Sequence, residues 1–158
     1  SSFSKTYSMA GLRIGWVISS QAAIKSLRRY HMFTTSVANT PSQFAGVAAL
    51  TGDQQCVRDM LDIYRERRDK VVELIDQTPY MTGYKPGGAF FAFPGLPPHV
   101  DGSDLALRML KETGVCMVPG DAFGEACTNA VRISFSTTCE NLEAAFDRII
   151  PWMAKQQF

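Results

Sequence analysis

An excess of charge of either sign is missing from this sequence. Across 158 residues, 16 lysines and arginines face 15 aspartates and glutamates, for a formal charge of +1. A balance so close to neutral gives no electrostatic footing for a nucleic-acid backbone or an anionic membrane surface, and neither partner is expected. Long apolar runs are missing as well: none approaches the roughly 18 residues that a membrane-spanning helix needs. No charged-then-apolar leader opens the chain. Cysteine is sparse, with Cys56, Cys116, Cys127 and Cys139 in no C-x-x-C pair and only His31 and His99 to join them. Neither a zinc site nor a disulfide framework is expected, and the expected setting is a reducing cytoplasm. Repeats, low-complexity tracts and charged tails are absent, and the chain opens on Ser1-Ser2-Phe3-Ser4-Lys5 without an initiator methionine. What is present is a globular composition, 46% hydrophobic and 20% charged, in a length that suits one domain with a sizeable core.

The pattern along the chain is α/β. Gln43–Leu50 is small and apolar, as in a closely packed helix, with Pro41 in its first turn and Thr40 as candidate cap. After the Thr51-Gly52-Asp53 turn comes a long amphipathic helix with Val57, Met60, Leu61, Tyr64, Val71, Val72 and Ile75 on one stripe, ending near Thr78-Pro79. Its Arg65-Glu66-Arg67-Arg68 run reads as a solvated face, and its length suits a bridge between two domains. Strands are expected over Ala89–Phe93, Val115–Val118 and the alternating Ala130–Phe135, in a mixed or antiparallel arrangement. Ser103 is the expected cap of a helix that stops at Gly114, and Thr137 with Glu140 forms a capping box for a last helix carrying Leu142, Phe146, Ile149 and Met153.

The densest chemistry is at the front, in Ser2-Phe3-Ser4-Lys5-Thr6-Tyr7-Ser8-Met9-Ala10-Gly11-Leu12-Arg13-Ile14-Gly15-Trp16. Hydroxyls and a guanidinium fork suit a phosphate group, and glycines let backbone approach a ligand closely. A lysine beside such a site can form a Schiff base with an aldehyde. The same residues also fit a Ser/Thr-rich surface loop with solvated cations, and composition leaves both readings open. The glycine spacings match neither a Walker loop nor a dinucleotide fingerprint.

This stretch resembles the lysine signature of the class I/II aminotransferases, within the fold type I pyridoxal-phosphate enzymes: S-x-S-K, a short spacer, then G-x-R-x-G and an aromatic. Further blocks resemble the same family, in family order. They are Lys85-Pro86-Gly87-Gly88-Ala89-Phe90-Phe91, then Gly114-Val115-Cys116-Met117-Val118-Pro119-Gly120-Asp121-Ala122-Phe123-Gly124, then Val131-Arg132-Ile133-Ser134-Phe135. Asp121 stands where many relatives carry a small hydroxyl residue.

The resemblance implies that Lys5 carries pyridoxal 5'-phosphate in Schiff-base linkage and moves the substrate α-proton. It implies that Ser2, Ser4 and Arg13 hold the cofactor phosphate, and that Arg132 binds the substrate α-carboxylate. The alternative for Ser4 is a turn hydroxyl bonded to its own backbone, and for Arg132 a solvated strand-edge residue. Tyr7 and Trp16 are expected to pack, and His31 and His99 to stay outside catalysis. Phe33–Thr40 falls where relatives place a dimer interface.

The implied fold is the C-terminal part of the type I architecture. Residues 1–66 would belong to the end of the large cofactor-binding domain plus the start of the bridging helix, and residues 67–158 to the small α/β domain. The implied activity is transamination between an α-amino acid and a 2-oxo acid in a homodimer, with this chain an incomplete fragment that is inactive alone. The alternatives are a lyase or synthase of the same fold, and a non-catalytic, self-associating small-domain fragment.

Overall fold

Ser20 and Asn39 each place a side-chain oxygen over the first turn of a helix, accepting from the backbone N–H of Ala23 and Ser42. The computed structural model describes all 158 residues, and they divide into two compact units, Ser1–Met60 and Leu61–Phe158.

The first unit holds α1 (Phe3–Thr6), α2 (Gln21–Thr34) and α3 (Thr40–Thr51). Thr40 is the first helical residue of α3 and not its cap. The carboxamide oxygen of Asn39 reaches the Ser42 N–H at 3.4 Å, and Pro41 needs no N–H partner in the first turn. The small residues expected of α3 have a physical role at Gly46. A Cβ there would meet the Phe3 ring at 3.2 Å and Ile14 Cδ1 at 3.4 Å, so the missing side chain makes room for both. Phe3 is the unit's buried apolar anchor, whereas α2 buries no residue.

α4 (Gln55–Asp76) starts in the first unit and continues in the second, where Val71, Leu74 and Ile75 enter a core. Three short strands, β1 (Phe91–Ala92), β2 (Val118–Pro119) and β3 (Val131–Ser134), form an antiparallel sheet in the order β1–β3–β2. The registers pair Phe91 with Ser134 and Val118 with Arg132. β1 and β2 are shorter than their apolar patterns predict. Pro94 limits β1, and Val115–Met117 lies outside the ladder. Pro119, read from sequence as a terminator, is itself paired, because β2 is an edge strand where a missing N–H is tolerated.

Two caps also differ from the sequence pattern. Asp101, not Ser103, caps α5 (Gly102–Thr113), accepting from the Asp104 N–H at 2.9 Å. Thr138, not Thr137, caps α6 (Cys139–Met153), accepting from the Asn141 N–H. In both places neighbouring residues are all good caps, and the one with extended backbone at the helix entry takes the role. Gly114 ends α5 in the left-handed conformation, φ +72°, as expected. Val131 and Ile133 on one face of β3, and Phe135 just beyond it, share one core cluster with Leu105, Met109, Phe146 and Ile149 from α5 and α6. Full burial of each such side chain is worth roughly 1.5–3 kcal/mol before chain entropy is counted.

Candidate active site

The front segment folds back on itself. Trp16 N–H donates to Ser1 O at 2.8 Å, Phe3 N–H donates to Ile14 O at 3.2 Å, and Ser2 and Gly15 form an antiparallel bridge between these bonds. A Cβ on Gly15 would lie 2.7 Å from Ser1 O and 3.2 Å from Ser2 Cα, so this closure requires glycine. Gly11 has no such neighbour. The fold therefore brings the backbone carrying Ser2, Ser4 and Lys5 alongside the backbone that follows Arg13.

Within that closure Ser2 is exposed at the entry to α1 and makes no capping bond, while Ser4 is half-buried in α1 and Lys5 exposed in it. Arg13 has φ +52°, a left-handed conformation uncommon for a side chain with Cβ, and its Nη1 donates to Ala10 O at 2.8 Å. Backbone strain of this kind persists only where surrounding structure holds it, and here the flanking bonds of Leu12 and Phe3 do so. Tyr7 packs as expected: its ring lies 5.6 Å from Phe3, and its hydroxyl donates to Gln54 Oε1. Trp16 meets Phe3 edge-on at 4.9 Å. His31 Nδ1 lies 2.7 Å from Thr35 Oγ1, a local helix-end contact.

Arg132 lies in the second unit, on the face of β3 opposite Val131 and Ile133. Because Phe91 pairs with Ser134, it is the diagonal neighbour of Arg132 on that same face, within reach of a long side chain. The Arg132 guanidinium carbon lies 4.3 Å from the Phe91 ring centre and 4.7 Å from that of Phe123. No carboxylate of the chain pairs with it, and no buried side-chain nitrogen or oxygen lacks a partner, so its in-plane N–H groups open to solvent. A half-buried cation that lies over rings and keeps its N–H donors free is suited to a planar anion.

The elements around it are tied by charge. Lys85, at the turn leading into β1, pairs with Asp69 of α4 at 2.8 Å. Hydrogen bonds from Arg68 and then Lys85 lower the Asp69 carboxyl from 3.8 to about 2. Lys70 bridges Glu143 and Glu73, both at 3.2 Å, and the Glu143 bond is the larger cause of its raised pKa. Burial, and then Glu66, push the Cys139 thiol up. Sequence reasoning did not single out Phe91 and Phe123 beside Arg132, nor the Ser103 hydroxyl that donates to Asp121 Oδ2 at 2.8 Å. Both phenylalanines lay inside quoted motifs, but their relation to Arg132 is set by strand register and a loop.

The family model described as aminotransferase class I and II matches residues 1–149. A probable aspartate aminotransferase of Methanocaldococcus jannaschii is 36% identical over 149 residues, covering 90% of this chain and 39% of that protein. An LL-diaminopimelate aminotransferase of Natranaerobius thermophilus is 31% identical, covering 97% of this chain and 39% of that protein. The solved structure of an aromatic aminotransferase from Pyrococcus horikoshii superposes with a TM-score of 0.92 at 32% identity, over 98% of this chain and 42% of that one. The chain thus spans about two fifths of the length of these relatives, sharing with them the mixed helix-and-sheet fold.

Proposed function

This chain belongs to the class I and II aminotransferase family, and from that premise we propose that it contributes the lysine and carboxylate-binding parts of an enzyme that transfers an amino group between an α-amino acid and a 2-oxo acid. The cofactor in this reading is pyridoxal 5'-phosphate. The donor set fits such a group. The hydroxyls of Ser2 and Ser4 and the guanidinium of Arg13 suit a phosphate dianion, and the primary amine of Lys5 suits an aldehyde. The closure at Gly15 supports the reading because it holds these four residues on one short, locally ordered loop. Ser2 favours it further, since its hydroxyl does not cap α1. When bound, the cofactor would supply an electron sink for the substrate α-carbon.

In this reading each residue has a distinct task. Lys5 anchors the cofactor and takes and returns the proton at the substrate α-carbon. Ser2, Ser4 and Arg13 hold the phosphate and fix the direction in which Lys5 works. Arg132 receives the α-carboxylate in two parallel hydrogen bonds, which orients the bond to be broken. The single observation that carries the proposal is the Arg132 guanidinium held over two rings with no carboxylate of the chain as partner, in a family whose substrates are amino and oxo acids. The domain assignment follows: residues 1–66 with the large cofactor-binding domain, and residues 67–158 as the small domain. The exposed apolar side chains of α2 and α3, Phe33 at 86% and Phe44 at 72% among them, favour an associated state, here a homodimer in the cytoplasm.

Borohydride reduction of the cofactor-loaded enzyme followed by peptide mapping tests the lysine assignment. Among the six lysines of the chain, label is expected on Lys5 alone. Label spread over several of them would refute it.

A further inference from the structure

Arg132 is held by more than its own strand. Its guanidinium carbon lies over the Phe91 ring at 4.3 Å and over the Phe123 ring at 4.7 Å. Phe123 closes the turn Gly120–Phe123 that follows β2, and the edge of Phe93 supports it at 5.6 Å. Two residues before Phe123, Asp121 accepts the Ser103 hydroxyl at 2.8 Å, which ties the turn to the first turn of α5. Phe91 in turn meets the Phe90 ring at 4.4 Å, tilted by 48°, and Phe90 lies 6.0 Å from Tyr64 of α4. The guanidinium therefore belongs to a chain of aromatic contacts that reaches from the Phe123 turn to α4.

Rings hold a guanidinium differently from a carboxylate. Their π faces attract the cation while occupying none of its in-plane N–H groups. A carboxylate arriving in that plane forms two parallel bonds, whereas one meeting a tilted fork forms only one good bond. We infer that Phe91 and Phe123, with the Ser103–Asp121 hydrogen bond behind the Phe123 turn, are positioning residues that set the plane in which Arg132 receives a carboxylate. The inference rests on the reading of Arg132 as the carboxylate receptor. It gives Asp121 the role of anchoring that turn.

The test uses isotope-labelled NMR of the full 158-residue chain. Sodium propionate is the probe, and sodium chloride at equal ionic strength is the control. In the wild type, the Arg132 δ protons should be shifted upfield by the two rings, and Arg132 Nε–Hε should move saturably with propionate only. Phe123→Leu should weaken that binding roughly two- to fivefold, the size of one lost ring contact at a partly exposed site, and should remove part of the upfield shift. Phe123→Tyr should restore both. Asp121→Ala, which frees the turn without touching the ring, should change both in the same direction as Phe123→Leu. Core amides of Val71 and Ile149 report that each variant is folded; Phe123 is half-exposed, so its replacement leaves the core intact. No saturable response in the wild type would overturn the carboxylate reading, and the inference with it. A wild-type response that Phe123→Leu leaves at full affinity would overturn the inference alone, as would a tyrosine variant as weak as the leucine one.

Discussion

At the residue scale, two glycines that each follow a proline, Gly87 and Gly120, have opposite steric meanings. A Cβ on Gly120 would come within 2.1 Å of Cys127 O and 2.8 Å of Ala130 O, both backbone atoms that cannot swing aside. Gly120 N–H also donates to Ala130 O at 2.9 Å, so the turn and the segment before β3 are locked backbone to backbone. Gly87 has nothing within 4 Å. Gly120→Ala should therefore lower stability by roughly 1–3 kcal/mol, the usual cost of overpacking. Gly87→Ala should stay within about 0.5 kcal/mol of the parent, as surface changes do. Urea unfolding of both variants checks the contrast, and equal midpoints would refute the locked-backbone reading. Both glycines are equally visible in sequence inside Pro-Gly pairs. Only the path of residues 127–130 distinguishes them.

At the element scale, α3 to α6 were legible in the sequence, whereas α1, α2 and most of the helix entries were not. Periodicity located α4 and α6 because each buries one stripe that recurs every three to four residues, and a capping residue with Gly114 located α5. The entry of α6 lies in Ser136-Thr137-Thr138, where each hydroxyl is a plausible cap. Thr138 Oγ1 accepts the Asn141 N–H, while Thr137 Oγ1 accepts from the Asn141 side chain. Thr138 also lowers the Glu140 carboxyl pKa by a hydrogen bond, the largest cause of that shift. Thr138→Ala should cost roughly 0.5–2 kcal/mol, as loss of an N-cap does. Thr137→Ala should cost less, and thermal melts of the two variants rank them. The reverse order would return the cap to the position the sequence pattern suggests. Strand lengths were overestimated for a related reason: apolar alternation reports which face is buried, whereas a ladder also needs a partner with free backbone groups.

At the scale of the whole molecule, burial is distributed unevenly. The core cluster belongs to the second unit, with Val71, Met109, Val131, Ile149 and Met153 each fully buried. In the first unit Phe3 is the one buried large apolar side chain, and α2 has Tyr30 at 75% and Phe33 at 86% exposure. Local opening is cheapest where few apolar contacts are lost. Hydrogen exchange on this chain should therefore find the amides of α6 and β3 slower than those of α2 by about a hundredfold or more beyond their intrinsic rates. Equal protection in α2 and α6 would show that the first unit is held by something other than its own buried surface.

Sequence by itself determined the family resemblance, the α/β pattern and the identity of the reactive side chains, because these depend on residue type and local spacing. Lys5, Ser2, Ser4, Arg13 and Arg132 were all named on that basis, and their roles remain a proposal. Tertiary structure alone decided how they are held. The Gly15 closure needs Ser1 to lie opposite Trp16, and the contact of Arg132 with both Phe91 and Phe123 needs a strand register joined to a loop. Both depend on residues that are distant in the chain and adjacent in space, a relation that no local spacing encodes.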